Sequence, residues 1–312
     1  MKAILINQYG DAGELYLGEF AKPEPTEHKI LVKVKATALN RADIMQRRGL
    51  YPPPPGASPI LGLEFAGIVE NCGANCTIRQ TGDRVCGLVG GGGYAEYATI
   101  HEKMAMPIPD NLSFEDAAAI PEVFLTAFQA LFLIGELREG HTALIHAGAS
   151  GVGTAAIQLT REIGAKAVVT AGSSEKLDAC LKLSASAGFN YHEGEFAPKV
   201  LAATGGNGVN LIVDFVGAAY LEQNIKCLAD DGCMVILSLL VGWKAEGVNL
   251  RDVLIKRLRI VGSTLRGRSL DYKIKLTEAF AQFALPKFSN SNLQPVIDQV
   301  FSWENVAEAH RY

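Results

Sequence analysis

The Gly-rich stretch around residue 150 constrains the fold of this chain more than any other part of the sequence. It reads Ala147-Gly-Ala-Ser-Gly-Val-Gly153, after the apolar run Thr142–His146 and before an Ala-rich segment of helical composition. Its glycines can adopt backbone angles closed to other residues, and the first N–H groups of a following helix favour negative charge. Ser150 stands where the plain G-x-G-x-x-G pattern has its second Gly, and an ordinary turn is the alternative. Its place between a strand and a helix predicts a site for a pyrophosphate.

Short apolar runs alternate with helical segments from residue 142 onward. This alternation predicts a doubly wound parallel sheet, with helices that begin at Gly151 and Ser174. The predicted strands are Thr142–His146, Ala167–Thr170, Gly188–Asn190, Val209–Asp214, Met234–Leu239 and Arg259–Thr264. The last two are expected at or near an exposed edge, which invites pairing with a second copy.

The first hundred residues are β-rich and lack the βαβ alternation. The Pro-rich segment Tyr51–Gly56 predicts a stiff extended loop that carries one aromatic ring. Ser113 and Asp116 predict a helix cap, and a domain boundary follows near residue 121. The predicted strands are Lys2–Asn7, Ile30–Ala38, Phe65–Glu70, Arg84–Leu88 and Ala95–Ile100; further along, Phe124–Phe132 and Ser269–Phe283 read as helices and Asn292–Phe301 as strand and turn.

Composition excludes several classes of function. The chain has 312 residues, 48% of them hydrophobic, and a formal net charge of −4, so neither nucleic acid nor an anionic membrane is an expected partner. The apolar start ends too early for a signal peptide, and no stretch reaches membrane-spanning length, which predicts a cytoplasmic location. Six scattered cysteines predict reduced thiols rather than a disulfide framework. Cys72, Cys76 and Cys86 lack the spacing and the fourth ligand of a structural zinc site.

Several motifs together resemble the zinc-independent quinone oxidoreductases of the medium-chain dehydrogenase/reductase superfamily, and most of all their p53-inducible branch. The resemblance implies an α/β architecture: a GroES-like catalytic domain over residues 1–121, an NADP-binding Rossmann domain over 122–266, and a return to the catalytic domain over 267–312. The usual ending, a Gly-Lys followed by a strand, does not occur, so the resemblance implies either a truncated last segment or an open edge of the catalytic domain. The motifs are Asn40-Arg-Ala-Asp43, Gly62-Leu-Glu64, Gly82-Asp-Arg84, Gly92-Gly-Tyr-Ala-Glu96, Ala118-Ala-Ile-Pro121, Ala147–Gly153, Asp214-Phe-Val-Gly217 and Ala309-His310.

The same resemblance implies catalysis without a metal. Zinc-dependent relatives bind catalytic zinc through a Cys at the position of Asn40, a His at the position of Leu63 and a Cys near Glu122. Asn and Leu are not useful zinc ligands, and one carboxylate cannot hold the ion. The four-Cys lobe of those relatives is also absent.

The end of the second Rossmann strand predicts NADP rather than NAD. An NAD-selective site usually carries an acidic residue there for the ribose hydroxyl, whereas this chain has Gly172. Ser173 and Lys176 can bind the 2′-phosphate, and Tyr191 matches a family position that closes over it. The alternative is that Ser173 caps a helix and Lys176 is a solvated surface charge.

The resemblance assigns a larger set of residues to the cofactor and the reacting end. Asn40, Tyr51 and Ser150 are the predicted catalytic residues, with Tyr51 positioning a quinone oxygen by a hydrogen bond. The alternatives are a turn role for Asn40 and Ser150, packing on the neighbouring prolines for Tyr51, a helix hydroxyl bonded to its own backbone for Thr126 and a core position for Leu265. The predicted cofactor-binding residues are Asn40, Thr126, Gly148, Ala149, Ser150, Gly151, Val152, Gly153, Gly172, Ser173, Lys176, Tyr191, Phe215, Gly217, Leu239, Thr264, Leu265 and Arg266.

These features predict an NADPH-dependent quinone reductase that needs neither zinc nor flavin and forms a homodimer or higher homo-oligomer. The product can take its protons from water, so no obligate acid or base is assigned, and His146 is expected to be a core histidine bonded to backbone. An NADPH-dependent enone or alkenal double-bond reductase is the alternative enzyme. A non-catalytic NADPH-binding or RNA-binding protein is the alternative outside enzymes.

Overall fold

A computed structural model describes all residues from Met1 to Tyr312. Its internal contacts divide the chain into two compact units. The first comprises Met1–Leu125 together with Leu265–Tyr312, and the second comprises Thr126–Thr264. The assignment of residues 1–121, 122–266 and 267–312 to distinct functional domains stays a prediction.

Thirteen strands and ten α-helices make up the chain. The strands are β1 Lys2–Ile6, β2 Leu15–Glu19, β3 Lys29–Ala36, β4 Glu64–Cys72, β5 Arg84–Leu88, β6 Tyr97–His101, β7 Ala105–Pro107, β8 Thr142–Ile145, β9 Lys166–Ala171, β10 Ala187–Asn190, β11 Val209–Asp214, β12 Leu228–Ile236 and β13 Arg259–Gly262. The helices are α1 Arg41–Arg47, α2 Phe114–Ala118, α3 Pro121–Phe128, α4 Gly151–Glu162, α5 Ser174–Lys182, α6 Ala197–Ala203, α7 Leu221–Cys227, α8 Leu250–Ile255, α9 Leu270–Ser289 and α10 Val306–Ala309.

The first unit is built on an antiparallel five-stranded sheet of order β6-β3-β4-β5-β7, beside the antiparallel pair β1-β2. Strand β4 lies at its centre, and its first four residues, Glu64 to Gly67, are all buried. Helix α2 begins where the capping box predicts, since the Ser113 side chain accepts from the Asp116 N–H. The GroES-like β-rich unit expected from the sequence is confirmed.

The second unit contains a parallel six-stranded sheet of order β10-β9-β8-β11-β12-β13. The strand order reverses direction between β8 and β11, which confirms the doubly wound Rossmann class. In such sheets, ligands bind outside the carboxyl ends of the strands at this switch point. Strand β13 forms one edge, as expected, and three of its four residues are exposed.

Several sequence-based expectations are wrong in detail. Residues Asn292–Phe301 contain no strand, because no neighbouring strand supplies a hydrogen-bonded ladder for them. Strand β12 ends at Ile236, three residues before the predicted end. The helix predicted over Phe124–Phe132 is α3 followed by a π-helical segment, Gln129–Ile134.

None of the helices combines the length and the apolar composition that a membrane-spanning helix needs.

Candidate functional site

The Gly-rich turn follows β8 and leads directly into α4. Gly148 and Gly153 are required by close approach of neighbouring atoms rather than by a positive φ, which corrects the expectation from the sequence. A Cβ at Gly153 would lie 2.4 Å from the Ala147 carbonyl oxygen, and a Cβ at Gly148 would lie 2.8 Å from Cβ of Val169. The positive φ of the turn, 49°, occurs at Ala147. The backbone therefore forms a tight cradle that any side chain at Gly148 or Gly153 would fill.

Ser150 caps α4. Its hydroxyl oxygen accepts a hydrogen bond of 3.1 Å from the Gly153 N–H, and the residue itself is exposed. This contact is the turn-satisfying role that the sequence left open for Ser150. A cap of this kind fixes the helix N-terminus, the end of a helix that favours an anionic ligand.

Residues from two loops meet at the carboxyl end of β9. A Cβ at Gly172 would lie 2.5 Å from the Tyr191 hydroxyl oxygen, so the Tyr191 side chain occupies the space that an acidic residue would need. Ser173 caps α5 by accepting from the Lys176 N–H, whereas the Lys176 side chain is exposed. His192, which sequence reasoning missed, lies with its ring centroid 4.5 Å from that of Tyr191. The four predicted NADP residues therefore share one end of the sheet.

The remaining predicted cofactor residues of the second unit lie mostly after β11, β12 and β13. Gly217 has a φ of 87°, and its N–H donates to the Asp214 carboxylate at 3.1 Å. Phe215 is buried, whereas Leu239 is 47% exposed. Thr264 is exposed, and Val152 and Ala149 of the Gly-rich turn are partly exposed.

Thr126 on α3 carries a buried hydroxyl oxygen that has no hydrogen-bond partner within the protein. The sequence alternative, a hydroxyl bonded to its own backbone, is therefore wrong. An unsatisfied buried hydroxyl costs stability unless a ligand supplies its partner. Together with the cradle at Gly148 and Gly153, it fits a dinucleotide as the bound group.

His146 ends the strand run before the Gly-rich turn and is fully buried. Its Nε2 lies 2.7 Å from the Asn224 side-chain oxygen, and its Nδ1 lies 2.8 Å from the Thr170 hydroxyl. The amide oxygen only accepts, so Nε2 carries the proton and Nδ1 accepts from Thr170. The core position is confirmed, but the expected backbone partners are wrong, because both partners are side chains. Burial lowers the pKa of His146 to about 4, which keeps the ring neutral.

In the first unit, a buried glutamate joins two segments that are distant in sequence. Glu64, at the start of β4, accepts a hydrogen bond of 2.7 Å from the Asn40 side-chain amide through Oε1. Its Oε2 accepts a second bond of 2.7 Å from the Glu122 backbone N–H. Asn40 precedes α1, where its backbone N–H donates to the Asp43 carboxylate at 2.9 Å. Asn40, Glu64 and Glu122 are called the carboxyl cluster below.

Burial raises the pKa values of the acids in and beside the carboxyl cluster. The pKa rises to about 8 for Glu64, to about 7 for Glu122 and to about 6 for Asp43. The donors Asn40 and Glu122 N–H partly oppose this rise at Glu64. Sequence reasoning gave Glu64 and Glu122 no role, since a single acid in an apolar run does not reveal its partners.

Tyr51 and Arg266 pack against each other in the same unit. The Arg266 guanidinium carbon lies 5.2 Å from the centre of the Tyr51 ring. The guanidinium donates to the Gly90 carbonyl at 2.6 and 2.9 Å and to Oε1 of Gln46 at 2.6 Å. It therefore fastens the Tyr51 loop to the Gly90 turn, while its predicted contact with the cofactor stays a prediction. Its neighbour Leu265 is buried.

The side chains of this chain form no group of three or more His, Cys, Asp or Glu residues that could hold a metal ion. At the three positions where zinc-dependent relatives carry ligands, Asn40 donates its amide to Glu64, Leu63 is buried and Glu122 is partly exposed. Neutral amide and aliphatic side chains are poor zinc donors. The six cysteines are all free thiols.

Comparisons with known proteins agree with this architecture over the whole chain. Residues 26–110 match the alcohol dehydrogenase GroES-like domain, and residues 151–282 match the zinc-binding dehydrogenase family. The quinone oxidoreductase of Rattus norvegicus is 31% identical over 99% of this chain and 93% of its own length.

Two solved structures share the fold. A crystal structure of an NAD-dependent alcohol dehydrogenase has a TM-score of 0.87 and 32% identity, covering 100% of this chain and 95% of that one. The Escherichia coli quinone oxidoreductase complexed with NADPH has a TM-score of 0.85 and 29% identity, with the same coverage. With its GroES-like and Rossmann units and these full-length relatives, the chain belongs to the medium-chain dehydrogenase/reductase superfamily of oxidoreductases, as a homologue of the quinone oxidoreductases.

Proposed function

We propose that this protein is an NADPH-dependent quinone reductase that works without zinc or flavin. The observation that carries the proposal is the 31% identity to a quinone oxidoreductase over 99% of the chain. The site residues support it, because the first unit offers an aromatic hydroxyl, an amide and carboxyl groups but no metal-ligand set.

The residues of the second unit that would hold the cofactor are those of the glycine cradle and of the β9 end. The N-terminus of α4, capped by Ser150, would face the pyrophosphate, and Thr126 would supply its unpartnered hydroxyl to the nicotinamide end. When bound, NADPH supplies two electrons as a hydride.

Preference for NADPH over NADH rests on charge at the end of β9. The position that would hold an acidic residue is Gly172, and Tyr191 fills the space beside it. Lys176 offers an exposed ammonium in the first turn of α5, and His192 adds an imidazole that the sequence did not suggest. A phosphate of nearly two negative charges gains from such donors. The likeness to an NAD-dependent alcohol dehydrogenase favours the opposite preference, which makes cofactor choice a sharp test.

At the reacting end, Tyr51 is the residue proposed to position a quinone oxygen. Its hydroxyl makes no hydrogen bond within the protein, and its ring is held by Arg266. Asn40 is held by Glu64, so its amide has a fixed orientation. Both residues are only partly exposed, which suits a site that excludes most water.

Steady-state oxidation of NADPH against matched panels of quinones and enones tests the proposal. We expect turnover with quinones to exceed turnover with enones, and to survive prolonged dialysis against a strong chelator. Faster turnover with enones would identify the double-bond reductase instead. Tight NADPH binding without turnover of either panel would identify a non-catalytic binding protein. Stoichiometric zinc whose removal abolishes activity would contradict the metal-free mechanism.

We also propose a homodimer in the cytoplasm. Edge strand β13 leaves its outer backbone groups unpaired, and large apolar side chains on and beside it are exposed, including Ile260, Leu254 and Ile255. Six free thiols suit a reducing compartment. Light scattering at micromolar concentration is expected to give twice the chain mass, and a monomer mass would contradict it.

A further inference from the structure

Glu122 is a carboxyl group that the structure leaves without a hydrogen-bond partner. Its backbone N–H is bound to Glu64, which fixes the start of α3, but its own side-chain oxygens accept no hydrogen bond and join no salt bridge. An acid that is mostly removed from water and unpaired costs stability. A purely structural role at this position would be met by an apolar side chain.

The surroundings of Glu122 explain why no cation neutralises it. Arg266 lies close enough for its charge to lower the pKa of Glu122, yet its donors are committed to Gly90, Gln46 and the Tyr51 carbonyl. Burial is the larger influence and raises the pKa of Glu122 to about 7. The cation is therefore near the acid without forming an ion pair with it.

The charged and titratable groups linked to Glu122 through mutual shifts in pKa are Asp43, Glu64, Tyr51 and Arg266. Asp43 follows the start of α1, Glu64 begins β4, Tyr51 lies on the Pro-rich loop and Arg266 follows β13. The negative charge of Asp43 raises the pKa of Glu122, while the charge of Glu122 raises the pKa of both Glu64 and Tyr51. Only Glu122 among the three acids is partly exposed, whereas Glu64 and Asp43 are 1% and 0% exposed. Glu122 is thus the one acid of this group that a substrate can reach.

We propose that Glu122 is the general acid of the reaction, delivering a proton to the acceptor oxygen that Tyr51 positions. The inference rests on the proposed quinone reductase function and replaces the expectation that water alone supplies protons. Reduction of a quinone to a hydroquinone requires one hydride, which carries two electrons, and one proton. The carboxyl O–H bond of Glu122 breaks, an O–H bond forms on the acceptor, and the Glu122 carboxylate then takes a proton from solvent. A general acid works best when its pKa lies near the working pH.

The test compares Glu122→Gln, which keeps the shape but loses the proton, with Glu122→Asp, which keeps the acid. Glu115→Gln, a change of an exposed glutamate on α2, is the matched control. We expect kcat for quinones to fall about 100- to 10,000-fold in Glu122→Gln, with NADPH affinity unchanged. The wild type should lose activity as the pH rises through about 7. Glu122→Asp should show the same fall in its pH–rate profile, and Glu122→Gln should not.

A second readout needs neither cofactor nor turnover. In the cofactor-free protein, the infrared carboxyl band that titrates near pH 7 should be missing from Glu122→Gln and present in Glu115→Gln. Wild-type kinetics and pH profile in Glu122→Gln, or a Glu122 band that titrates near 4.5, would overturn the proposal alone. A wild type that reduces no quinone would overturn the proposed function, and this assignment with it.

Discussion

Each unit contains a buried cluster of polar side chains, and the two clusters differ in whether a member reaches solvent. In the second unit, His146, Thr170 and Asn224 are each 0% exposed. In the first unit, Glu64 is buried but its two partner residues, Asn40 and Glu122, are partly exposed. A closed cluster can only hold the fold together, whereas a cluster with accessible members can also act on a ligand.

Burial disfavours ionisation in both clusters, but it suppresses a positive charge in one and a negative charge in the other. Burial keeps His146 neutral by lowering its pKa, whereas it favours the neutral form of Glu64 by raising its pKa. His146 joins β8 to β9 and to α7 immediately before the Gly-rich turn, so it holds the end of the strand from which the glycine cradle begins. Glu64 holds the Asn40 amide and the start of α3, which carry the proposed reacting groups.

The largest expected effect comes from opening the closed cluster. His146→Ala leaves a cavity beside Phe196 and Tyr220 and removes the partners of Thr170 and Asn224. We expect a loss of about 3–5 kcal/mol in the free energy of unfolding, measured by urea denaturation at pH 7. The partly exposed His141 provides the control, since His141→Ala should cost under about 1 kcal/mol. Equal losses for the two variants would contradict a structural role for this cluster.

The pH dependence of stability should have opposite signs for the two clusters. The pKa of Glu64 is raised from 4.5 to about 8 by folding, so its contribution is complete below pH 4.5 and is lost as the pH rises through 8. The pKa of His146 is lowered from 6.5 to about 4, so its contribution is complete above pH 6.5 and is lost as the pH falls through 4. The difference in unfolding free energy between Glu64→Gln and the wild type should therefore shift in favour of the variant as the pH rises from 5 to 8. The shift should be at most roughly 1.4 kcal/mol per pH unit. The destabilisation by His146→Ala should instead shrink as the pH falls below 6.5. If the difference in urea midpoint from the wild type changes with pH in the same direction for both variants, the contrast is refuted.

A smaller effect, on quinone kinetics, is expected from Tyr51, which lies in the same unit as the partly exposed carboxyl cluster. Tyr51→Ala removes a hydroxyl and a ring beside Arg266, which should cost roughly 1–3 kcal/mol in kcat/KM for quinones. The affinity for NADPH should change less. Tyr51→Phe keeps the ring, so it should recover only the part of the loss in kcat/KM that comes from packing against Arg266. Unchanged quinone kinetics in both variants would reduce Tyr51 to a packing residue.

The sequence could predict the strands and the Gly-rich turn of the second unit far better than the carboxyl cluster of the first unit. Strands β8, β9 and β11 are buried on both faces of a parallel sheet and appear as continuous apolar runs, so their places were correct within one residue. The Gly-rich turn was recognisable because strand, turn and helix are contiguous. The carboxyl cluster was not, because Asn40 and Glu122 lie 24 and 58 residues from Glu64 and meet only through the fold.

The missed elements depend on tertiary partners in the same way. Strand β2 has three exposed residues among five, and it forms because β1 pairs with it. The strand predicted within Asn292–Phe301 has the right residue types but no neighbour to pair with. Local composition therefore identified which segments can be strands, and the sheet order decided which of them are.

The central claim, an NADPH-specific site at the end of β9, is tested most directly by cofactor binding to Lys176→Ala. Titrations of protein fluorescence with NADPH and with NADH should show about 10- to 100-fold weaker NADPH binding and unchanged NADH binding. The control is Lys182→Ala, a change of an exposed lysine in the last turn of the same helix, which should leave both affinities unchanged. Equal losses of NADPH and NADH affinity in Lys176→Ala, or a wild type that prefers NADH, would contradict the account.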